Sequence, residues 1–391
     1  MFESLELLAA DPLLGLIQRF QQDIRPEKVD LGVGVYRDDS GATPIMAAVK
    51  QAEARLLETE HSKSYVGPLG NLLFIEQMAK LLFSNAPEHL AGLQTPGGCG
   101  ALRVLAELIM KTGRTLTLWA SNPTWANHVP LLAGAGLNIQ SYRYYDYKNH
   151  GLDFDGMMCD LDNAQAGDVV LLHGCCHNPS GADLNQKQWP LLLELCANKS
   201  LVPLIDVAYQ GFGDDLEQDA FGVRLAAKML PEFMLAVSCS KNFGLYRERV
   251  GAAFVVSESA EAKAASISHM AAVTRGIYSM PPSHGASVVA EILSDDVLRA
   301  QWQSELSGMC FRIKSLRSDL AAALAEASGH RDFSFIEEEK GMFSFLGLNP
   351  EQVKRLADEH AIYMADSSRI NLAGLNSSNL AHVVNSVKSI L

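Results

Sequence analysis

The chain has 391 residues, 45 of them acidic against 32 basic, for a formal net charge of −13. That length is large for one core, and a hydrophobic fraction of 48% with a charged fraction of 20% is ordinary for a globular protein. The acidic balance argues against nucleic acid and anionic membranes as partners, because neither is attracted at long range, and no apolar run approaches the ~20 residues of a membrane span.

The opening stretch MFESLELLAADPLLGL has neither the basic start nor the small-residue cleavage site of a secretory leader, so a cytoplasmic location is expected. The next predicted element is a Gly-rich turn, QTPGGCG, which places Gly97, Gly98 and Gly100 directly before the amphipathic helix ALRVLAELIMKT (101–112). By itself this suits a tight loop entering a helix as well as an anion site. Apolar strands are predicted at 115–120, 138–145, 168–175, 201–209, 233–240 and 251–257, with a helix QWPLLLELCANK (188–199) between two of them. Several of these strands are continuously apolar rather than alternating, as expected where helices cover both faces of a mostly parallel sheet. After about residue 285 the pattern becomes a long helix, two short strands (FSFIEE and GMFSFLGL) and a further helix. The fold class is therefore α/β: a helix-covered, mostly parallel sheet over 34–298, with a smaller α+β domain from 1–33 plus 299–391.

Cysteine usage gives no disulfide framework. The seven cysteines are odd in number and none is paired in C-x-x-C spacing. HGCCH (173–177) is the one stretch to weigh as a metal site. Adjacent cysteines diverge on an extended chain, so no metal is expected there, and the stretch reads as a buried strand end with hydrogen-bonded histidines.

The chemically distinctive residues all follow strand ends, where open parallel sheets bind ligands. Trp125 lies in NPTWANH after strand 115–120, and Asn178 in HNPSG after strand 168–175. Asp206 ends the apolar run LVPLI, where a carboxylate is costly without a cation or donors, although an Asp there also suits a helix cap. Tyr209 follows three positions on. Lys241 lies in SCSKNFGLYRER just past the run FMLAV, and Arg249 precedes GAAFVV. A crowded lysine has a lowered pKa and attacks carbonyls, and an arginine grips a phosphate with two parallel bonds. Lysine, buried aspartate, flat aromatic, phenol and phosphate cradle are together what pyridoxal phosphate requires. No G-x-G-x-x-G dinucleotide fingerprint is present.

SCSKNFGLYRERVGA closely resembles the lysine motif of the class I, fold type I aminotransferases, in the aspartate and aromatic amino acid branch. LGVGVYRDDSGATP (31–44), SYVGPLGN (64–71), QTPGGCGALR (94–103), NPTWANH (122–128), HGCCHNPSG (173–181), DVAYQGFG (206–213), YSMPPSHGASVVA (278–290) and SSRINLAGL (367–375) resemble that branch in the same order. The resemblance implies the pyridoxal-phosphate transferase fold with a seven-stranded type of sheet. It implies that Lys241 anchors the cofactor in a Schiff base and then moves the substrate proton. Asp206 pairs with the ring nitrogen with His128 behind it, Tyr209 and Asn178 contact the phenolic oxygen, and Trp125 stacks on the ring. Gly98, Cys99, Ser238 and Arg249 form the phosphate cup, with Tyr65 arriving from a second subunit. Arg369, Gly34 and Asn178 bind the substrate α-carboxylate, Trp125 borders the substrate, and Arg275 of the second subunit takes a distal carboxylate. An obligate homodimer follows from this sharing.

The implied activity is ping-pong transamination between aspartate or an aromatic amino acid and 2-oxoglutarate. A strictly aspartate-specific enzyme and a lyase or decarboxylase on the same fold are the alternatives, the second disfavoured by the pair Arg275 and Arg369. Two positions depart from the family pattern. Cys99 stands where relatives usually have threonine, and Met280 where aspartate-specific relatives usually have asparagine. Aromatic substrates require Arg275 to move or to be screened by apolar neighbours such as Leu13 and Leu14.

Overall fold

The computed structural model describes residues 2–7, 12–329 and 331–391, without the side chains of residues 12 and 13, so that of Leu13 lies outside the described part. By compactness the chain divides into a larger unit, Pro44–Arg312 with Glu339–Gly341, and a smaller one, Met1–Thr43, Ile313–Glu338 and Met342–Leu391. The sequence reading set the boundaries at 33/34 and 298/299. No turn marks the C-terminal one, because a single helix, Asp296–Ser328, runs through both 298/299 and 312/313.

Among the described residues, seven strands form the sheet of the larger unit: β1 (Leu90–Pro96), β2 (Thr117–Asn122), β3 (Asn138–Arg143), β4 (Val169–His173), β5 (Val202–Val207), β6 (Phe233–Ser238) and β7 (Val250–Val256), in the order β1-β7-β6-β5-β4-β2-β3. Strand β7 runs opposite to the other six. Strands β6 and β7 are buried at every position, which their unbroken apolar runs predict for a sheet covered on both faces. Strand β1 was not foreseen: its sequence LAGLQTP carries no β-branched apolar residue, and its pairing with β7, Leu90 opposite Val256 through Pro96 opposite Val250, makes it a strand. The helix Gly97–Lys111 follows β1 and turns Ala101, Leu102, Val104, Leu105, Ala106 and Ile109 into the core, the i, i+3, i+4 stripe of an amphipathic helix.

The smaller unit holds a parallel pair, Val29–Asp30 with Ile362–Tyr363, and an antiparallel pair, Phe343–Phe345 with Arg369–Asn371. Its helix Pro350–His360 starts with a capping box between Asn349 and Gln352 and with proline in the first turn. FSFIEE was expected as a strand, but Phe335–Glu338 is a short helix. Asp332 accepts from the Ser334 N–H at 2.8 Å, and successive i−3 bonds (Ile336 to Phe333, Glu337 to Ser334) close the turn before a strand can form. No helix among the described residues is long and apolar enough to cross a membrane.

Candidate active site

Strands β1, β2, β4, β5 and β6 run parallel, so their carboxyl ends share one edge of the sheet. Strand β7 runs the other way, so its beginning reaches that same edge. This topology gathers Gly97 to Cys99 after β1, Trp125 after β2, Asn178 after β4, Asp206 at the end of β5, Ser238 at the end of β6, Lys241 just beyond, and Arg249 immediately before β7. The arrangement is the ligand-binding edge of an open α/β sheet.

Asp206 is 6% exposed and lies within β5, which removes the helix-cap reading. Its Oδ2 is 3.0 Å from Nε2 of the buried His128, and His128 Nδ1 is 2.7 Å from Oγ1 of Thr124, four residues earlier. Burial pushes the Asp206 carboxyl up, but the His128 hydrogen bond, with the charges of His128, His173 and Lys241, holds it below the usual carboxylate range. The indole of Trp125 meets the His128 ring edge-on, with centroids 5.2 Å apart. His173 completes the cluster at 5.2 Å from His128, and neither of its buried ring nitrogens has a partner among the described residues. Burial, then the neighbouring His177 and His128, push its pKa well down, against the opposing pull of the Asp206 carboxylate.

Lys241 places its ammonium 4.7 Å from the centre of the Tyr209 ring. Burial lowers its pKa, the Asp206 carboxylate opposes that and the Arg249 guanidinium reinforces it. The turn that carries it is fixed from behind: Trp302 Nε1 donates to the Asn242 carbonyl at 2.7 Å, and Trp302 stacks on Phe243 with centroids 4.4 Å apart. An amine of lowered pKa held in a fixed turn is suited to carbonyl attack and to proton transfer.

Across from the lysine, the first N–H groups of helix Gly97–Lys111 are open to an anion, because Pro96 at the cap has no side-chain acceptor to offer. Gly97 has φ +73° and a Cβ there would meet Arg249 Nη2 at 2.6 Å. The bare backbone is what lets the guanidinium lie over the helix start. Arg249 itself adopts φ +55° and donates from Nη1 to the Tyr246 carbonyl at 3.0 Å, which aims the guanidinium. Gly98 lies against Ser238, and Asn127 Nδ2 reaches the Cys99 thiol at 3.8 Å, a weak contact. Helix N–H groups, a hydroxyl and a guanidinium fit a phosphate monoester. Gly97→Ala is expected to lower unfolding stability by roughly 1–3 kcal/mol through left-handed strain and the Arg249 contact, read as a lower denaturant midpoint at unchanged slope.

The sequence matches the family Aminotransferase class I and II over residues 26–387. The chain belongs to the class I and II aminotransferases. It is 47% identical to the aspartate aminotransferase of Escherichia coli K12, covering all of both chains. It is 46% identical to an aromatic-amino-acid aminotransferase of Pseudomonas aeruginosa, covering 100% of this chain and 98% of that one. An aromatic-amino-acid aminotransferase of Burkholderia pseudomallei, solved covalently bound to pyridoxal phosphate, superposes with a TM-score of 0.96 at 40% identity, covering 100% of this chain and 99% of that one.

Not every expected site residue of this aminotransferase is gathered at the sheet edge. Tyr65 is 92% exposed, and Arg275, in the last turn of helix Ala260–Ile277, is exposed with its Nη1 bonded to Ser279 Oγ. Met280 follows that turn, partly buried. In the smaller unit, Arg369 donates to the Gly32 carbonyl at 2.6 Å and lies 4.6 Å over the Phe343 ring, which a Cβ on Gly34 would meet at 2.8 Å. Leu14 is exposed. The reading of HGCCH needs correction in two respects. His177 is hydrogen-bonded, to Ser121 at 3.1 Å and Ser180 at 2.8 Å, but His173 is not. The two cysteines do not diverge, because Cys176 takes a left-handed φ of +52°. Thr124, His173 and Trp302 were missed; only Thr124, four residues before His128, carried a readable spacing.

Proposed function

We propose that this aminotransferase binds pyridoxal phosphate at Lys241 and exchanges amino groups between aspartate or an aromatic amino acid and 2-oxoglutarate, releasing the 2-oxo acid and glutamate in a ping-pong cycle. The observation that carries the reading is the line Lys241–Asp206–His128 at the sheet edge opposite the cradle of Gly98, Cys99, Ser238 and Arg249. The activities named for the relatives supply the two substrate classes.

In this reading Lys241 would attach the cofactor, Asp206 would pair with its ring nitrogen, Tyr209 and Asn178 would contact its phenolic oxygen and Trp125 would stack on its ring. When bound, pyridoxal phosphate supplies the electron sink for bond breaking at the substrate Cα. The chain's own residues do the rest. Lys241 Nζ, of lowered pKa, takes the Cα proton and returns it. Asp206, kept ionised by His128, holds a proton at the ring nitrogen. Arg369 clamps the α-carboxylate, with Gly34 and Asn178, which fixes the Cα–H bond relative to Lys241. Tyr65 and Arg275 act from a second copy of the chain, the first on the phosphate and the second on a distal carboxylate. Their exposure in the single chain supports that homodimer. Seven free thiols support a reducing, cytoplasmic location.

Two substitutions test the departures from the family pattern. A thiol is a weaker donor than a hydroxyl, so Cys99→Thr is expected to tighten cofactor binding by about 1 kcal/mol, some fivefold, in a dialysis-and-reloading titration. Unchanged retention would remove Cys99 from the cup. Met280→Asn is expected to lower kcat/KM for tyrosine relative to aspartate by roughly tenfold, since a flexible apolar side chain gives way to a polar one that steadies Arg275. An unchanged ratio makes Met280 irrelevant to selection. The overall reading is tested by the visible spectrum of the loaded enzyme. L-Aspartate and L-tyrosine are each expected to bleach the yellow band, and 2-oxoglutarate to restore it; bleaching by aspartate alone favours the strictly aspartate-specific reading.

A further inference from the structure

We propose that Cys175, Cys176 and Asp219, converging beside a separate acidic cavity of the larger unit, form a binding site for a soft divalent cation of the zinc and cadmium class. The two thiol sulfurs and a carboxylate oxygen of Asp219 all lie within 4.8 Å of one another, and all three residues are buried. Ligand atoms around a tetrahedral zinc at ~2.3 Å are about 3.8 Å apart, so closing the site asks for a side-chain rotation rather than a backbone move.

The site is braced on both sides. On the strand side, the Asp183 carboxylate accepts from the N–H groups of Cys176 at 2.6 Å and His177 at 2.7 Å, which fixes the left-handed turn that brings the sulfurs together. On the other side, Asp219 accepts from the N–H groups of Gly211 at 2.8 Å, Gly213 at 2.9 Å and Asp214 at 2.9 Å, which fixes its carboxylate against the thiols. Such second contacts orient ligands in built metal sites.

Cys175 and Asp219 open onto a cavity of about 440 Å³ that Asp183, Asp214 and Lys340 also line. Three carboxylates face two ammoniums there, of which Lys340 is already paired with Asp214 and Lys187 is exposed to solvent. The field favours a cation, and two sulfurs select a soft one over magnesium or calcium, which want six or more oxygens. Two sulfurs and one oxygen leave the fourth position toward the cavity, where water or a small ligand completes the shell. The neighbouring group His128, His173 and Asp206 belongs to the active site and is not part of this one.

The test uses the full-length, cofactor-loaded enzyme titrated with cadmium and followed by the ultraviolet thiolate-to-cadmium absorption. The expected result is a saturable band at one equivalent per chain, reversed by excess zinc, kept in Cys159→Ser and lost in Cys175→Ser and in Cys176→Ser. Because a serine variant can lose the band by misfolding, the wild-type chain with one equivalent of zinc is also measured by X-ray absorption, where two sulfur neighbours are expected. No saturable band, a band that survives loss of both thiols in a folded variant, or a zinc shell of nitrogen and oxygen alone would overturn the proposal.

Discussion

Lys241→Ala is expected to lower kcat by at least about 10²–10⁴-fold with the chain still folded, because general acid–base transfer alone contributes that much. The same variant is expected to lose the yellow absorption while keeping the phosphate cradle, so that pyridoxal phosphate binds reversibly instead of covalently. The structure makes the two readouts separable. The lysine lies over Tyr209 at the sheet edge, whereas the proposed cradle also draws on Gly98 at the helix start and on Arg249 before β7, which the substitution leaves in place. A variant that retains wild-type kcat would remove Lys241 from the chemistry, and a retained yellow band would place the attachment elsewhere.

Asp206→Asn is expected to reduce kcat by about 10²–10³-fold, the usual effect of deleting one preorganised charge from a dry site. The carboxylate is 6% exposed and bonded to His128 at 3.0 Å, so little solvent can replace its charge. Substrate KM should change far less than kcat, because in the proposed function the carboxylate acts on the cofactor ring rather than on substrate carboxylates. Acid stability offers a second readout. A carboxyl whose folded pKa is depressed contributes stability that is present above its unfolded value of ~3.9 and lost as pH falls through its folded value. In the asparagine variant that contribution to acid unfolding should vanish. An unchanged kcat with a changed acid limb would mean that the His128 pairing is structural only.

Much of the site was legible because its polar residues interrupt apolar strands. A lysine beyond FMLAV and an aspartate inside LVPLIDV are anomalies that burial energetics force a reader to explain. The parallel sheet was legible for the same reason, from unbroken runs such as those of β6 and β7. What escaped the reading depends on distant partners or on backbone angles. Strand β1 exists through its register with β7, and Phe335–Glu338 is helical because Asp332 captures a local N–H. Trp302 supports the lysine turn from 60 residues away, a distance no spacing rule reaches. The meeting of Cys175 and Cys176 rests on one left-handed φ, which a sequence announces when the residue is glycine and conceals when it is cysteine.

The reversed direction of β7 has a consequence for how the protein matures. Gly97 and Arg249 meet only when β7 has inserted between β1 and β6, and their contact spans the stretch of chain that contains every other strand of the sheet. Pairings between such distant segments form slowly, since the closure entropy of a long loop precedes any contact that rewards it. A chain halted before that insertion lacks the Arg249 part of the anion cradle, because only the start of β7 brings that guanidinium to the helix that follows β1. A ligand that binds the complete cradle stabilises the chain in which β7 is inserted, by mass action.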